Sequence, residues 1–583
     1  MRYYTSACLV ACAALLAACG GGGGGGGSSP APIVPLPTTP PATFDIANLT
    51  SDQTFEAIGN NQNADFDLAQ GQVMNASSQN AQLSVAYDAA SKRYTVSLGS
   101  ESASFGAGDV TSNANGEVRY ETGNSATGRQ LLTLVTTPYS GGASNKYVGL
   151  GYWQRYSVTN QVQEDTFSTF VYGQRTPVSG TPKTGTAQYA IDVFGVASTV
   201  ATTPIVFEGD GYFSVDFLGG EFFVKSQMSE YELLTGNVFT GGGMDLTSSG
   251  YLTSGSGNFS GLAVVKTRFG TTTGDLNGSF FGPEGQEIGA SFATRNANGD
   301  SAVGSFTGKS NGQSGVNLNL ANIITPQTYS GGGVTMYYET GAIYGTGYRT
   351  EHMAGVLRDQ TKGAYSYAPA VNNLTEVAYT EADKVQGTNA NFTDYLKTVD
   401  GHDVRLQLYK VGNANSELKL SYVSMGRWER ASIQGPANRT IQHFYYGLET
   451  PENALNHRTG SARYEGVAYG VGGHGSTGDQ YDVTGSSAFD INFGSQSYTG
   501  LLVLNGHRNG NTVAFGSYDF NGQLVSNYNN ASFADPSGYH GDIAWKFYGP
   551  TGEEIGGQFW VRVPEDVFAG SMVINGVTVA RRR

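Results

Sequence analysis

Four sets of residues in this 583-residue chain have types and spacing that could support chemistry. The first is a thiol. Cys8, Cys12 and Cys19 are the only cysteines, and Cys19 follows Leu16-Ala17-Ala18. Small residues at that place let a peptidase reach the backbone, and an exposed thiol can take a lipid through a thioether. The second is a pair of carboxylates, Glu287 and Glu554, each set in Phe-x-Gly-Pro-x-Gly-x-Glu-Ile-Gly. Glycosidic acid/base work needs two convergent carboxyl groups, and no second carboxylate recurs beside either. Capping of turn amides, or a charge pair, is the role expected of them. The third is histidine. All seven, His352, His402, His443, His457, His474, His507 and His540, fall in the C-terminal half. None has the His-x-x-x-His or His-Glu-x-x-His spacing of a metal site, so no metal site is expected. His443, beside Tyr445 and Tyr446, is the place to look for a ligand contact, since His and Tyr both ligate haem iron. The fourth is Gly308-Lys309-Ser310-Asn311-Gly312, a Gly-x-Ser-x-Gly run that leads into a Gly/Ser/Asn-rich stretch without the helix a nucleophile elbow needs. No catalytic residue is expected and the protein is read as a non-enzyme.

The segment preceding Cys19 explains the thiol. Ala7 to Ala18 is apolar and uncharged, the length of a signal-peptide core and too short to span a bilayer as a helix. Gly20 to Gly27 is unbroken glycine, followed by a Pro-rich stretch to Pro41. Flexible glycine and extended proline read as a spacer. The expectation is a signal peptide over 1–18, lipidation at Cys19 and a tether to residue 43. The mature chain then has no disulfides, although it enters a compartment where they form.

Composition limits what positions these groups. The chain has 83 glycines and 14% charged residues, roughly twice the usual glycine and about half the usual charge. The glycines have no Gly-X-Y period, so collagen is excluded, and 39% hydrophobic residues are enough for packed cores. Glycine and aromatics suit short strands and tight turns; glycine in helix interiors would cost about 1 kcal/mol each. The net charge of −15 excludes nucleic acid as a partner.

The sequence also repeats once at long period. Tyr147–Trp153 matches Tyr422–Trp428, Gly185–Val196 matches Gly460–Val471, and Phe213–Phe217 matches Phe489–Phe493. Gly274–Phe292 and Gly541–Phe559 agree at ten of nineteen positions, and the offset stays between 267 and 276. Two large lobes follow, not a solenoid. In the later part of each, Tyr189, Ile191 and Val193 alternate with Gln188 and Asp192, and Phe213, Val215 and Phe217 with Ser214 and Asp216. Asn505-Gly506, Asn509-Gly510 and Asn521-Gly522 suit hairpin turns. Such strands, closed on themselves, predict a small antiparallel barrel. Gln82–Tyr87 and Tyr94–Leu98 read as strands, and a short helical piece is expected near Thr380–Asp383. In the repeated motif, Gly282-Pro283 and Gly549-Pro550 predict a tight turn. The strand that follows begins at Ile288 or Ile555, with Gly289, Gly556 and Gly557 allowing close packing. Trp153 and Trp428 hold matched places, which suggests a shared structural role. Tyr337-Tyr338 and Tyr445-Tyr446 are read as alternating strand residues.

Phe-Tyr-Gly-Pro-x-Gly-x-Glu-Ile-Gly-Gly-x-Phe, late in a Gly-rich barrel, resembles the barrel signature of transferrin-binding protein B-like surface lipoproteins. Factor H binding protein and haemoglobin-binding lipoproteins share that barrel. The Tyr147–Trp153 and Gly185–Gly195 blocks and Val303–Lys309 resemble the family too; the second copy departs at its end, with Arg581-Arg582-Arg583. The resemblance implies an all-β fold with minor α content, in two tandem lobes, each a handle domain plus an eight-stranded antiparallel β-barrel. The expected domains are an N-lobe handle over 44–180, its barrel over 181–310, a linker over 311–324, a C-lobe handle over 325–455, and a barrel with basic tail over 456–583.

The resemblance also implies a lipid-anchored protein on the outer-membrane surface of a Gram-negative bacterium. It would bind a host or environmental ligand, for iron or haem acquisition, with a TonB-dependent receptor and a surface lipoprotein translocon as partners. No cofactor is expected, haem or iron entering only as bound ligand. The lack of disulfides departs from the larger transferrin receptors of the family and points away from transferrin itself. A surface adhesin, or a lipoprotein recruiting host factors, is the alternative. A transmembrane barrel is set aside because many strands read as shorter than the nine to eleven residues a bilayer needs.

Overall fold

The computed structural model describes residues 44–583 apart from 240–242, 331, 343–344, 352–354, 362, 371–373, 434–438, 452–453, 456–457, 475–478, 526, 536–537, 566 and 569–571. The signal segment, Cys19 and the tether lie outside the described residues, as do His352 and His457. The protein is almost wholly β. Helical structure among the described residues is confined to three single 3-10 turns, Ala107–Asp109, Glu381–Asp383 and Gly412–Ala414. The second is the helical piece expected near Thr380. The chain divides into one unit that ends at Gly315 and another that begins at Val316.

In the first unit a nine-stranded antiparallel sheet precedes a closed eight-stranded barrel. The sheet's two edges, Glu101–Phe105 and Val110–Ala114, are consecutive in the chain and are joined by the Ala107–Asp109 turn. Each barrel strand from Thr186–Ser198 to Ser301–Ser310 pairs with its chain neighbour, and the first pairs with the last. The inward positions Phe207, Phe213, Phe222, Phe259, Phe280 and Phe292 fill the lumen as a solid apolar core. Glycines make room for these rings: a Cβ on Gly278 would lie 2.2 Å from the Phe259 ring.

In the second unit the first part is a four-stranded and a seven-stranded sheet, and the second part an eight-stranded sheet. These eight antiparallel strands are those expected of the second barrel. Its end strands, Asn511–Gln523 and Tyr528–Asp535, share no ladder among the described residues. Aromatic rings bridge this seam instead: Tyr518 and Phe520 meet Phe533 at 5.6 and 5.9 Å between centroids.

The structure adds to or revises several expectations. Asp192 points away from the lumen as the alternation has it, yet it is buried, because the nine-stranded sheet's connecting segment covers that barrel face and donates Tyr139 N–H and Ser140 N–H to its carboxylate, each at 2.8 Å. Asn509-Gly510 is a hairpin turn, with φ of 51° and 80°. Asn505-Gly506 and Asn521-Gly522 instead lie inside strands, where the glycines clear space for the Phe515 and Tyr498 rings of neighbouring strands. The strands after the repeated turns start one residue earlier than read, at Glu287 and Glu554. Arg581 and Arg582 are no loose tail; they end the strand Met572–Arg582, which pairs with Ser461–His474. The first barrel's strands run 9 to 13 residues, so length does not set it apart from a membrane barrel. Its packed apolar lumen and exposed outward residues such as Lys225 and Gln227 do, since they reverse the membrane pattern.

Candidate functional site

The repeated motif builds the same clasp in both units. The turn at Gly282-Pro283 needs φ +87° at Gly282, and that at Gly549-Pro550 needs +92° at Gly549. Each turn aims a glutamate at the first block of the repeat. Glu287, fully buried, accepts N–H bonds from Lys146 and Tyr147 at 2.8 Å and Val148 at 3.1 Å. Glu554 accepts from Ser421 at 2.7 Å, Tyr422 at 2.8 Å and Val423 at 2.9 Å. The tyrosine so held covers the motif's own glycine: a Cβ on Gly282 would sit 2.7 Å from the Tyr147 ring, and one on Gly549 the same distance from Tyr422. Gly289 packs against Val148 and Val171, Gly556 against Val423 and Tyr445, and Gly557 against Trp545. The amides capped are thus those of the preceding domain's strand and not the motif's own turn. Burial pushes the Glu554 carboxyl up to about 7, with the three N–H donors and Arg581 pulling it down. Lys309 Nζ lies 3.6 Å from Glu287, so the first copy combines amide capping with a charge pair.

Around the first clasp the two domains meet across a buried polar seam. Asn60 Nδ2 lies 2.7 Å from both Thr169 Oγ1 and Ser291 Oγ, 3.0 Å from Phe292 O and 2.9 Å from Gly304 O. Its Oδ1 accepts Thr169 N–H at 3.0 Å. Gln62 donates to Ser301 Oγ at 2.8 Å, and Ser78 to Thr294 O at 2.8 Å. The signal for this seam in the sequence is Asn60-Asn61-Gln62-Asn63, a run of amides inside a strand, where β-propensity disfavours Asn.

The first unit also bears an open groove of about 760 Å³ on its nine-stranded sheet. Arg155 lies over the Trp153 indole at 3.9 Å and pairs with Glu101 at 3.1 Å. Asp165 accepts from Gln154 at 2.6 Å and Gln163 at 2.8 Å, and burial pushes it up to about 6. Trp153 and Trp428 are both buried in their sheets at matched places.

The structure does not make one site of His443, Tyr445 and Tyr446. All three are buried on the strand Arg439–Gly447, where alternation puts His443 and Tyr445 on one face and Tyr446 on the other. Tyr445 packs on Gly332 and Gly556, and Tyr446 against Tyr329 at 5.1 Å. Tyr337 and Tyr338 are likewise buried. The other described histidines are dispersed: His402 meets Asp400 O at 2.8 Å, His507 meets Thr484 Oγ1 at 2.7 Å, and His474 packs edge-on against Phe568. No group of three or more His, Cys, Asp or Glu side chains arranged for a metal occurs among the described residues. Ser310 ends a strand, with its N–H donated to Gln286 O.

Residues 458–582 match a family described as the C-lobe and N-lobe beta barrels of Tf-binding protein B. Transferrin-binding protein B of Haemophilus influenzae strain 86-028NP is 26% identical over 312 residues, 50% of this chain and 47% of that protein. The same protein of strain ATCC 51907 is 24% identical over 314 residues, 50% of this chain and 48% of that protein. The matched region therefore spans about half the length of these curated relatives. Among solved structures, a transferrin-binding protein B double mutant from Haemophilus parasuis Hp5 aligns at 16% identity and a TM-score of 0.27, over 75% of this chain and 83% of that one.

Proposed function

Because the chain belongs to the transferrin-binding protein B-like family, we propose that it is a surface lipoprotein that captures an iron-carrying protein of the transferrin type for iron acquisition. The observation that carries this is the duplicated clasp. The same glutamate ties sheet to barrel in both units, which makes each a rigid platform, and the match to the named barrel family falls on one of them. A rigid scaffold that holds loops and an open groove suits recognition of a macromolecule. In this reading Glu287 and Glu554, each engaged by three backbone N–H donors, serve the scaffold.

Cys19 would carry the lipid, and the Gly/Pro tether would hold the two units off the outer membrane. A TonB-dependent receptor would take the iron onward, and a surface lipoprotein translocon would export the chain. Full-length protein on a sensor surface, challenged with iron-loaded transferrin, iron-free transferrin, haemoglobin and haem, tests the ligand. Saturable binding of transferrin is expected. Binding of haemoglobin or haem alone would redirect the reading, and binding of none would overturn it. Loss of membrane attachment in Cys19→Ala, with protease shaving of intact cells, tests the anchor and the surface address.

A further inference from the structure

The strands of the two barrels correspond one to one, and they differ at one hairpin. In the first barrel, Met244–Leu252 and Asn258–Thr267 pair at every position from Asp245 opposite Lys266 to Leu252 opposite Phe259. In the second, Asn511–Gln523 and Tyr528–Asp535 hold the same places, and they share no ladder among the described residues. Each pairs only with its other neighbour, Ser497–Arg508 or Gly538–Tyr548, and each of those pairings has a register shift, at Leu504/Asn505 and at Phe533/Ala534. The matching pairings of the first barrel run without a shift. A bulge bends its strand and strengthens its twist, which turns the two edges of the second barrel out of register with each other.

Side chains close the seam instead. At the mouth of the hairpin in the first barrel, Thr253 N–H donates to the backbone oxygen of Asn258 at 2.9 Å. In the second, Val525 N–H donates to a side chain, Asn529 Oδ1, at 3.1 Å. Phe222 faces Gly250 in the first barrel, and Tyr498 faces Gly522 in the second. The two rings therefore hold matched places, both buried, and they differ by one hydroxyl. Tyr498 passes that hydroxyl over Gly522, where a Cβ would lie 2.5 Å from it. It donates to the backbone oxygen of Asn530, on the strand beyond the seam, at 2.7 Å. The extra hydroxyl is thus found in the barrel that lacks the ladder, and it bonds the strand that the ladder would have held. The contacts of Tyr518 and Phe520 with Phe533 complete the closure.

We propose that this seam is a built-in opening of the second barrel: Tyr528–Asp535 parts from Asn511–Gln523 while the rest of the unit stays folded, and the Tyr498 hydroxyl is its latch. A hairpin held by a row of backbone bonds opens only with the structure around it. One held by a phenol, an amide and ring contacts opens locally. Parting breaks the bond from Tyr498 to Asn530, admits water to Phe520 and Phe533, and leaves Tyr528–Asp535 with one neighbour, Gly538–Tyr548, from which it then frays. The pairing of Ser461–His474 with Met572–Arg582, on the other side of the barrel, is not involved. The first barrel is closed by ladders throughout and has no such opening. This inference does not depend on the ligand proposed above.

Amide hydrogen exchange of the full-length protein, read peptide by peptide, tests this. In the wild type, peptides within 511–523 and 528–535 are expected to exchange about tenfold faster or more than those within 244–252 and 258–267. Tyr498→Phe then separates an opening from a static gap. It installs the ring of the first barrel and removes only the donor to a carbonyl, so it uncovers no amide directly. The slowest amides within 528–535 are expected to exchange about fivefold faster in the variant, the loss of one hydrogen bond, with 461–474 and 572–582 unchanged. Equal rates at the matching strands of the two barrels in the wild type overturn the proposal, whether or not the variant folds. So does a variant that exchanges like the wild type within 528–535, or one whose exchange rises evenly over the whole second unit.

Discussion

The carboxylate of Glu554 accepts the backbone N–H of Tyr422 at 2.8 Å across 132 residues of chain, and the Tyr422 ring in turn covers Gly549, five residues before Glu554. Glu287, Tyr147 and Gly282 repeat this arrangement. The two most strongly repeated blocks of the sequence are therefore the two halves of one joint. Glu287→Ala or Glu554→Ala leaves three backbone N–H groups without their acceptor. A loss of about 3 kcal/mol or more is expected, confined to the unit that carries the substitution. Limited proteolysis of each variant reads which unit opens; cleavage at equal rates in both units would contradict a joint local to each.

Glu554 also sets a pH dependence. Its carboxyl sits at about 7 in the folded protein against 4.5 as a free side chain. The folded state thus holds the proton more tightly than the unfolded state. This residue's contribution to stability is most favourable below about 4.5, falls as pH rises to about 7, and is flat above. The range amounts to about 3 kcal/mol. Subtracting the unfolding free energy of Glu554→Gln from that of the wild type at each pH isolates the effect. The difference should decline between those two values, and a rise would refute it.

Gly282→Ala and Gly549→Ala test the turn. A left-handed conformation costs an L-residue about 1–2 kcal/mol, and the new Cβ also meets a tyrosine ring at 2.7 Å and the side-chain oxygen of Gln286 or Glu553. Either substitution should lower the melting temperature. Gly510→Ala, with φ +80° but nothing within 4 Å of the Cβ, should cost less, and equal losses would mean that these side-chain contacts contribute nothing.

How much of this was legible in the sequence depends on range. Period-2 alternation around Tyr189 and Phe213 marked strands of the first barrel, and Asn509-Gly510 marked a hairpin turn of the second unit, because each is decided within a few residues. Gly506 and Gly522 misled, since a glycine that seats a ring from the adjoining strand reads like a glycine that turns the chain. The burial of Asp192 was not legible because its partners, Tyr139 and Ser140, are 53 and 52 residues away. The clasp was half visible: repetition marked Glu287 and Glu554, but not that their targets were the other repeated block.

The seam of the first unit gives the last prediction. Asn60 Nδ2 faces four oxygens, and its Oδ1 holds Thr169 N–H. Asn60→Ala removes the donor and the acceptor together, with an expected cost of about 3 kcal/mol. Asn60→Asp keeps the shape and the acceptor but sets a carboxylate against Phe292 O and Gly304 O, which can only repel it. If the seam works by amide donation, Asp should be the more damaging change near neutral pH and should recover on acidification, when a protonated carboxyl can donate one bond again. Urea unfolding of the three proteins at two pH values decides this. An Asp variant more stable than Ala at neutral pH would show that Asn60 serves by filling space.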